Sequence, residues 1–336
     1  MKGGDIVRTL LCFVLLIGSA LQAAGPGYHV AKKLVLGGEG GWDYLTVDDA
    51  ARRLYVSRGT HVMVVDLRTN KLAADIPDTP GVHGVAVAPE LGRGFISDGR
   101  AARATIFDLK TLKILGQVKT GENPDAILYD PASRRVFTMN GRSHDTTAFD
   151  AATGNVVATL PLGGKPEFAR ADGKGRAYVN IEDTGEVIEL DTRKPAVLRR
   201  FSIKPCEEPT GMGLDIAHGR VFSGCHNRIM TVLDINSGKV IATVPIGAGV
   251  DGCGYDAKEG VAFSSNGEGT LTVVRESAPG KFEVAETVPT QRGARTMTLD
   301  PRTHDIYLPT AEFGPASPGT RPPMAPGSFT VLVVGK

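Results

Sequence analysis

Residues 219–247, GRVFSGCHNRIMTVLDINSGKVIATVPIG, hold three short apolar runs separated by turn residues. The first opens at Arg220 (RVFS) and breaks at the loop GCHNR; the second ends on Asp234 (IMTVLD); the third (VIATVPIG) follows the turn INSGK. Runs rich in Val, Ile, Thr and Phe, bounded by Gly, Asn, Asp and Ser, are strand and hairpin signals. The stretch therefore predicts three antiparallel strands, and copies of it recur. Measured on the aspartate that ends the second run, they fall at Asp66, Asp108, Asp150, Asp191 and Asp234, spaced 42, 42, 41 and 43 residues, with Arg275 in the next slot.

A fourth run lies upstream of each copy: YLTVD, GVAVA, AILYD, FARAD, GMGLD, CGYDA and TMTLD, beginning near Tyr44, Gly84, Ala126, Phe168, Gly211, Cys253 and Thr296. Four short strands repeating every ~40–45 residues are the signature of a β-propeller, one sheet per blade. The expected fold is all-β, a seven-bladed propeller of four-stranded antiparallel blades. Residues 28–38 (YHVAKKLVLGG) align with the closing strand of other copies, whereas the last copy stops at FTVLVVGK without one. The N-terminal strand is thus expected to complete the last blade, closing the ring and leaving fewer unpaired edges.

Residues 1–24 read as a secretory signal peptide: Lys2 and Arg8 precede the apolar run LLCFVLLIGSAL and the small-residue stretch QAAG. That run is short for a bilayer span, so residues 25–336 are expected as one exported propeller domain, periplasmic or secreted, and monomeric. Of 38 basic and 37 acidic side chains, the segment 1–23 carries Lys2, Arg8 and Asp5, leaving 36 of each. A chain near neutrality lacks the broad basic footprint of nucleic-acid or anionic-membrane binders. There is no GxSxG, HExxH or CxxCH, and no glycine cluster ends in GK[ST], so no nucleophile, zincin, haem or phosphate-loop motif is present.

Sorting the repeat by face locates the candidate site. On the top face, the second position of each loop leading into an inner strand reads Asp43, His83, Asp125, Glu167, Thr210, Asp251 and Arg295. Loops between second and third strands add Arg58, His61, Asn140, Arg142, His144, Cys225, His226 and Asn266, while His218 and His304 fall at bottom turns. Such residues either satisfy backbone groups at strand ends or converge on a ligand. Four carboxylates around one opening repel each other unless a cation, an arginine or raised pKa values offset them. The ligand-binding set expected here is Asp43, His83, Asp125, Asn140, His144, Glu167, Thr210, Asp251 and Arg295.

Cys206, Cys225 and Cys253 sort to the same face, and in an oxidising compartment two of three usually pair. Cys206 with Cys225 is the first choice. A different use of the region is a soft-metal site for copper or zinc from Cys225, His226 and Glu207 or Glu208. Arg53, Arg93, Arg135, Arg176 and Arg220 open the second strands and follow the repeat, so they read as architecture bridging bottom turns and neighbouring strands. A Pro- and Gly-rich insertion at 311–328, AEFGPASPGTRPPMAPG and its flanks, is expected on the top face as a lid or docking arm.

The strands RLYVS, RAYVN and RVFSG, with closings such as VVDLRTNK, FDLKTLK, FDAATGN and LDINSGK, resemble the YVTN-repeat propellers, and more closely the YncE-like exported proteins. The resemblance covers Tyr28 to Lys336. It implies a surface or periplasmic binding protein whose partner is a small molecule or another protein. The family's DNA-binding label finds little support in the neutral charge. The wider superfamily includes haem-containing nitrite reductases, which need an attached cytochrome domain, and lyases acting on cyclic lactones. Quinone-cofactor alcohol dehydrogenases use tryptophan-rich blades, which Trp42 alone cannot supply. Two functions therefore stand side by side, with DNA binding, which would show a steep salt dependence, as a third. One is a non-enzymatic binding module. The other is a metal-dependent lactonase or lyase in which Asp125, Glu167, Asp251 and His83 or His226 hold or flank a divalent cation that polarises a carbonyl.

Overall fold

The apolar runs of the second and third strands are buried on both faces between neighbouring blades, whereas the closing run forms a largely exposed outer strand. The computed structural model describes residues 27–315 and 322–336; the expected signal peptide at 1–24 lies outside them. Seven four-stranded antiparallel sheets form seven blades. The inner strands, from blade 1 to blade 7, are Leu45–Asp48, Val82–Ala88, Pro124–Asp130, Pro166–Ala171, Pro209–Asp215, Val250–Asp256 and Thr298–Leu299. The only helical elements among the described residues are two three-residue 3-10 turns, Pro89–Leu91 and Gly99–Ala101. Blade 7 takes its outer strand from His29–Val35, which pairs antiparallel with Thr330–Gly335 from His29 opposite Gly335 to Val35 opposite Thr330.

The repeating aspartate has a local cause. At the end of the third strand its Oδ1 accepts the amides of the next turn: Asp108 from Lys110 and Thr111 at 3.0 and 2.6 Å, Asp234 from Asn236 and Ser237 at 2.9 and 2.7 Å. Each such turn starts the outer strand, so the side chain that caps it is fixed by geometry. The repeating arginine at the start of the second strand crosses to the next blade at four of its five positions, whereas Arg176 pairs with Glu189 and Asp191 of its own blade. Arg53 donates to Leu109 O, Arg93 to Ala151 O and Ala152 O, Arg135 to Thr192 O and Arg193 O, and Arg220 pairs with Glu276.

The core is divided among the seven blade interfaces, one apolar cluster at each. Blades 1 and 2 meet through Tyr55, Val64, Ile96 and Phe107, with the Tyr55 and Phe107 rings 5.6 Å apart. Blades 5 and 6 approach most closely at their inner strands. A Cβ on Gly211 would lie 2.3 Å from Cys253 N, and one on Gly213 would lie 2.8 Å from Gly254 O. Only glycine fits there, and the contact tightens the ring on that side of the central axis.

Candidate functional site: an acidic cup at the top of the axis

Six of the seven inner-strand approaches deliver a charged or imidazole side chain to the top of the central axis. His83 Nδ1 lies 2.6 Å from Asp43 Oδ2 and 3.6 Å from Asp125 Oδ1, and the three groups offer donor atoms within 4.8 Å of one another. Arg295 Nε donates to Asp251 Oδ2 at 2.6 Å. Lys165 Nζ sits 3.4 Å from Glu167 Oε2 but is also engaged, more closely, by Glu182. Its charge is therefore shared and only partly offsets Glu167. Two buried carboxylate oxygens, Asp125 Oδ1 and Glu167 Oε2, have no hydrogen-bond partner among the described residues.

Burial and mutual repulsion set the electrostatics. Glu167 is raised far above the usual carboxylate range, first by burial and then by the charge of Asp125. Asp125 is raised mainly by burial, with His83 opposing and Asp43 and Asp251 adding to the shift. Asp251 is raised by burial and by Asp43, against the pull of Arg295. For His83, burial disfavours the imidazolium, yet the Asp43 hydrogen bond and the charges of Asp125, Asp43 and Asp251 outweigh it and lift its pKa to about 9. Burial and crowding thus favour the protonated forms of these carboxyls and of His83.

The floor of the cup is aromatic. Tyr44 of blade 1 and Phe168 of blade 4, one residue below Asp43 and Glu167, reach across the axis and meet edge to face with centroids 5.0 Å apart. This pair plugs the channel. Tyr44 is buried, and its hydroxyl is held protonated first by burial and then by the charges of Asp125, Glu167, Asp43 and Asp251 above it. Below the plug the axis opens into a cavity of about 460 Å³ lined by the inner strands.

Not every expected site residue reaches the cup. Asn140 is fully buried and turned into its own blade, donating to Asp145 Oδ1 and Thr147 Oγ1 at 2.6 and 3.0 Å. Asn266 does the same with Thr270 and Thr272, so this position closes the hairpin. Thr210 donates to Val250 O at 3.3 Å and ties blade 5 to blade 6. His144 is exposed on a turn at φ 57°. Arg58, grouped with the top loops by sequence, is fully buried over the Phe329 ring at 3.6 Å, with Nε and Nη1 unpaired among the described residues. His218 and His304 bond Asp215 and Asp256 at bottom turns.

Cys206 and Cys225 form a disulfide across 19 residues, and Cys253 is a buried free thiol. With its sulfur so engaged, Cys225 has no thiolate to give a metal, and the set Cys225, His226 and Glu208 loses its soft ligand. His226 and Glu208 remain, exposed and bonded to each other at 2.5 Å. The described part of the 311–328 insertion folds back on itself through Phe313 and Met324 and packs on Trp42, the neighbour of Asp43, with the Trp42 and Phe313 rings 6.0 Å apart. This places its base on the blade 7 to blade 1 seam, beside the cup. Residues 316–321 lie outside the described residues.

Sequence reasoning missed Tyr44, Lys165, Phe168 and Arg170. For Arg170 a signal existed. Three positions after the entry residues Asp43 to Arg295 the chain reads Thr46, Ala86, Leu128, Arg170, Gly213, Gly254 and Thr298, and Arg170 alone is charged.

No family model matches the chain, and no curated protein does. Solved structures do, 1804 chains in all, so the fold is shared too widely to select a function. Hydrazine synthase of Kuenenia stuttgartiensis aligns at TM-score 0.72 and 15% identity, over 82% of this chain and 94% of that one. U3-55K aligns at TM-score 0.78 and 10% identity, over 91% of this chain and 99% of that one. The RRP9 WD40 repeats align at TM-score 0.78 and 9% identity, over 91% and 98%. At these identities the likeness shows the fold alone, and the fold is a seven-bladed β-propeller.

Proposed function

We propose that the chain is an exported YncE-like binding propeller whose functional surface is the top of the axis, and that the ligand held there presents a positive charge to the acidic cup. The observation that carries this reading is the pair of buried oxygens Asp125 Oδ1 and Glu167 Oε2, which lack a hydrogen bond among the described residues and have only the more distant charges of His83, at 3.6 Å, and Lys165, at 3.4 Å, beside them. An unmet buried acceptor costs about 1–3 kcal/mol, and a cation meeting both oxygens would recover that cost while displacing the protons. The partner is a divalent ion or the ammonium group of a small molecule. Equilibrium titration with Mn²⁺, Zn²⁺, Ca²⁺ and a panel of primary amines tests the reading. One saturable site per chain, weakened at least tenfold by Asp125→Asn, is expected; no saturable cation contradicts it.

A second reading is favoured by the cluster Asp43, His83 and Asp125. An imidazole with two carboxylates is a donor set suited to zinc or manganese, and the donors already lie within 4.8 Å. In that reading these side chains hold the ion, Tyr44 shapes the floor, and Asp251 with Arg295 orients a polar substrate. A metal so held would polarise a lactone or ester carbonyl. Turnover across a lactone and ester panel, present with metal and lost in His83→Ala, is the expected result; a metal-loaded protein inert across the panel removes the enzymatic reading and leaves the binding one.

A further inference from the structure

The shaft beneath the plug differs in chemistry from the cup above it. Its lining residues include Thr46, Val87, Tyr129, Arg170 and Tyr255, and among all of them Arg170 alone carries a charge. No aspartate or glutamate lines the space, and among the described residues Arg170 pairs with no acid. Its Nε donates to Met212 O at 2.7 Å and its Nη2 approaches Cys253 O at 3.5 Å, which ties the inner strands of blades 4, 5 and 6. Among the described residues Nη1 makes no hydrogen bond, and the guanidinium carbon lies 5.3 Å from the centre of the Phe168 ring. The guanidinium is surrounded by protein yet keeps accessible surface, because its tip faces the open shaft. Burial lowers its pKa, and no nearby carboxylate opposes that.

Arg170 stands three residues below Glu167, about 10 Å along the strand at ~3.3 Å per residue. The plug of Tyr44 and Phe168 lies between them. The two sites are therefore separate compartments, the upper acidic, the lower apolar with one cation. The six aspartates that end or follow inner strands at the lower rim, Asp48, Asp130, Asp172, Asp215, Asp256 and Asp300, each already accept a turn amide, and Asp130, Asp215, Asp256 and Asp300 also bond a side chain, Thr192, His218, His304 and Arg52 respectively. The cavity of about 460 Å³ reaches the lower rim at Tyr129, Tyr255 and Pro301. That volume falls in the ~300–1,000 Å³ range of small-molecule sites, which are mostly apolar with a few placed polar groups.

We propose that the lower shaft is a second binding site, for a small apolar monocarboxylate whose carboxylate meets Arg170 and whose body lies against the aliphatic and tyrosine walls. An apolar body matches a lining of Val, Ile, Leu and Tyr, and a carboxylate matches the guanidinium fork through its free Nη1. A cationic or strongly polar molecule would leave Arg170 unmet and the walls poorly covered. The site shares only the Tyr44 and Phe168 plug with the cup and uses none of the cup's ionisable residues Asp43, His83, Asp125, Glu167, Asp251 and Arg295, so it stands or falls independently of the reading above.

Fluorine NMR with 4-fluorobenzoate, 4-fluorobenzamide and 4-fluorobenzylamine as probes tests it. The benzoate is expected to saturate one site per chain, with the neutral amide and the amine at least tenfold weaker. Arg170→Gln is expected to weaken the benzoate at least tenfold while leaving cooperative unfolding intact. Because Arg170 also ties three strands, Val87→Trp serves as a second variant: it fills the shaft, keeps Arg170, and is expected to abolish binding. Folded wild-type protein without saturable benzoate binding up to about 10 mM, a range that still detects a weak ~1 mM site, would overturn the proposal. Equal binding of the amide, or benzoate binding retained in both variants, would overturn it equally.

Discussion

Replacing Glu167 by glutamine should stabilise the protein, and increasingly so as pH rises. The carboxyl is buried, with its side chain 12% exposed and Oε2 lacking a hydrogen bond. Its folded pKa is raised, so the folded state binds the proton more tightly than the unfolded one. The sign follows from linkage: wild-type stability from this group is intact below the ordinary glutamate value of 4.5 and falls as pH rises towards the folded value. The slope limit is about 1.4 kcal/mol per pH unit. Between pH 4.5 and 7 that amounts to at most about 3 kcal/mol, and the partial offset from Lys165 lowers it to about 1–2 kcal/mol. Glutamine has nearly the same shape and nothing to ionise, so the variant escapes this loss. Urea denaturation of both proteins at pH 4.5, 6, 7.5 and 9, without divalent ions, measures the difference. Near-equality at pH 4.5 and a widening advantage for Glu167→Gln above it is the expected pattern. A constant difference, or a variant less stable at pH 7.5, would refute the electrostatic account of the cup.

Other consequences follow from the ring. Cys206→Ser with Cys225→Ser opens a 19-residue separation, and loop entropy puts the loss at about 3 kcal/mol, measurable as a lower urea midpoint. In protein lacking residues 1–24, a thiol reagent should find no fast-reacting group and one thiol after unfolding, since Cys253 is fully enclosed; two or more would contradict the pairing. Arg93→Ala removes the tie from blade 2 to the carbonyls of Ala151 and Ala152 and is expected to cost about 1–3 kcal/mol. Deleting residues 27–35 strips the outer strand of blade 7. With on the order of 1 kcal/mol lost per ladder hydrogen bond, it should abolish cooperative unfolding or drive association through the exposed edge, visible in light scattering.

Architecture was legible in the sequence because it repeats. The turn-capping aspartates at Asp66 to Asp234 and the clamping arginines Arg53, Arg93, Arg135 and Arg220 each answer a local geometric demand that recurs from blade to blade, so the demand appears as a period. The cup was partly legible for the opposite reason: Asp43, His83, Asp125, Glu167 and Asp251 share one repeat position without sharing one structural duty. Asn140 misled because its position is polar in several blades for closing a hairpin, as Asn266 also does. The plug could not be read at all. Tyr44 and Phe168 lie 124 residues apart, and their contact depends on the ring's width, which is set by close approaches such as Gly211 on Cys253. Arg58 was hidden likewise, since its burial over Phe329 arises from the closure of blade 7 onto blade 1.

The central claim is that the cup holds protons in place of a cation. Isothermal titration of Mn²⁺ and Zn²⁺ into wild type and into Asp125→Asn with Glu167→Gln, at pH 7 in buffers of different ionisation enthalpy, tests it most directly. The account predicts one site per chain, release of at least one proton per ion bound from the raised carboxyls and His83, and at least a hundredfold weaker binding in the double variant. Absence of binding to wild type, binding without proton release, or equal affinity in the double variant would contradict it.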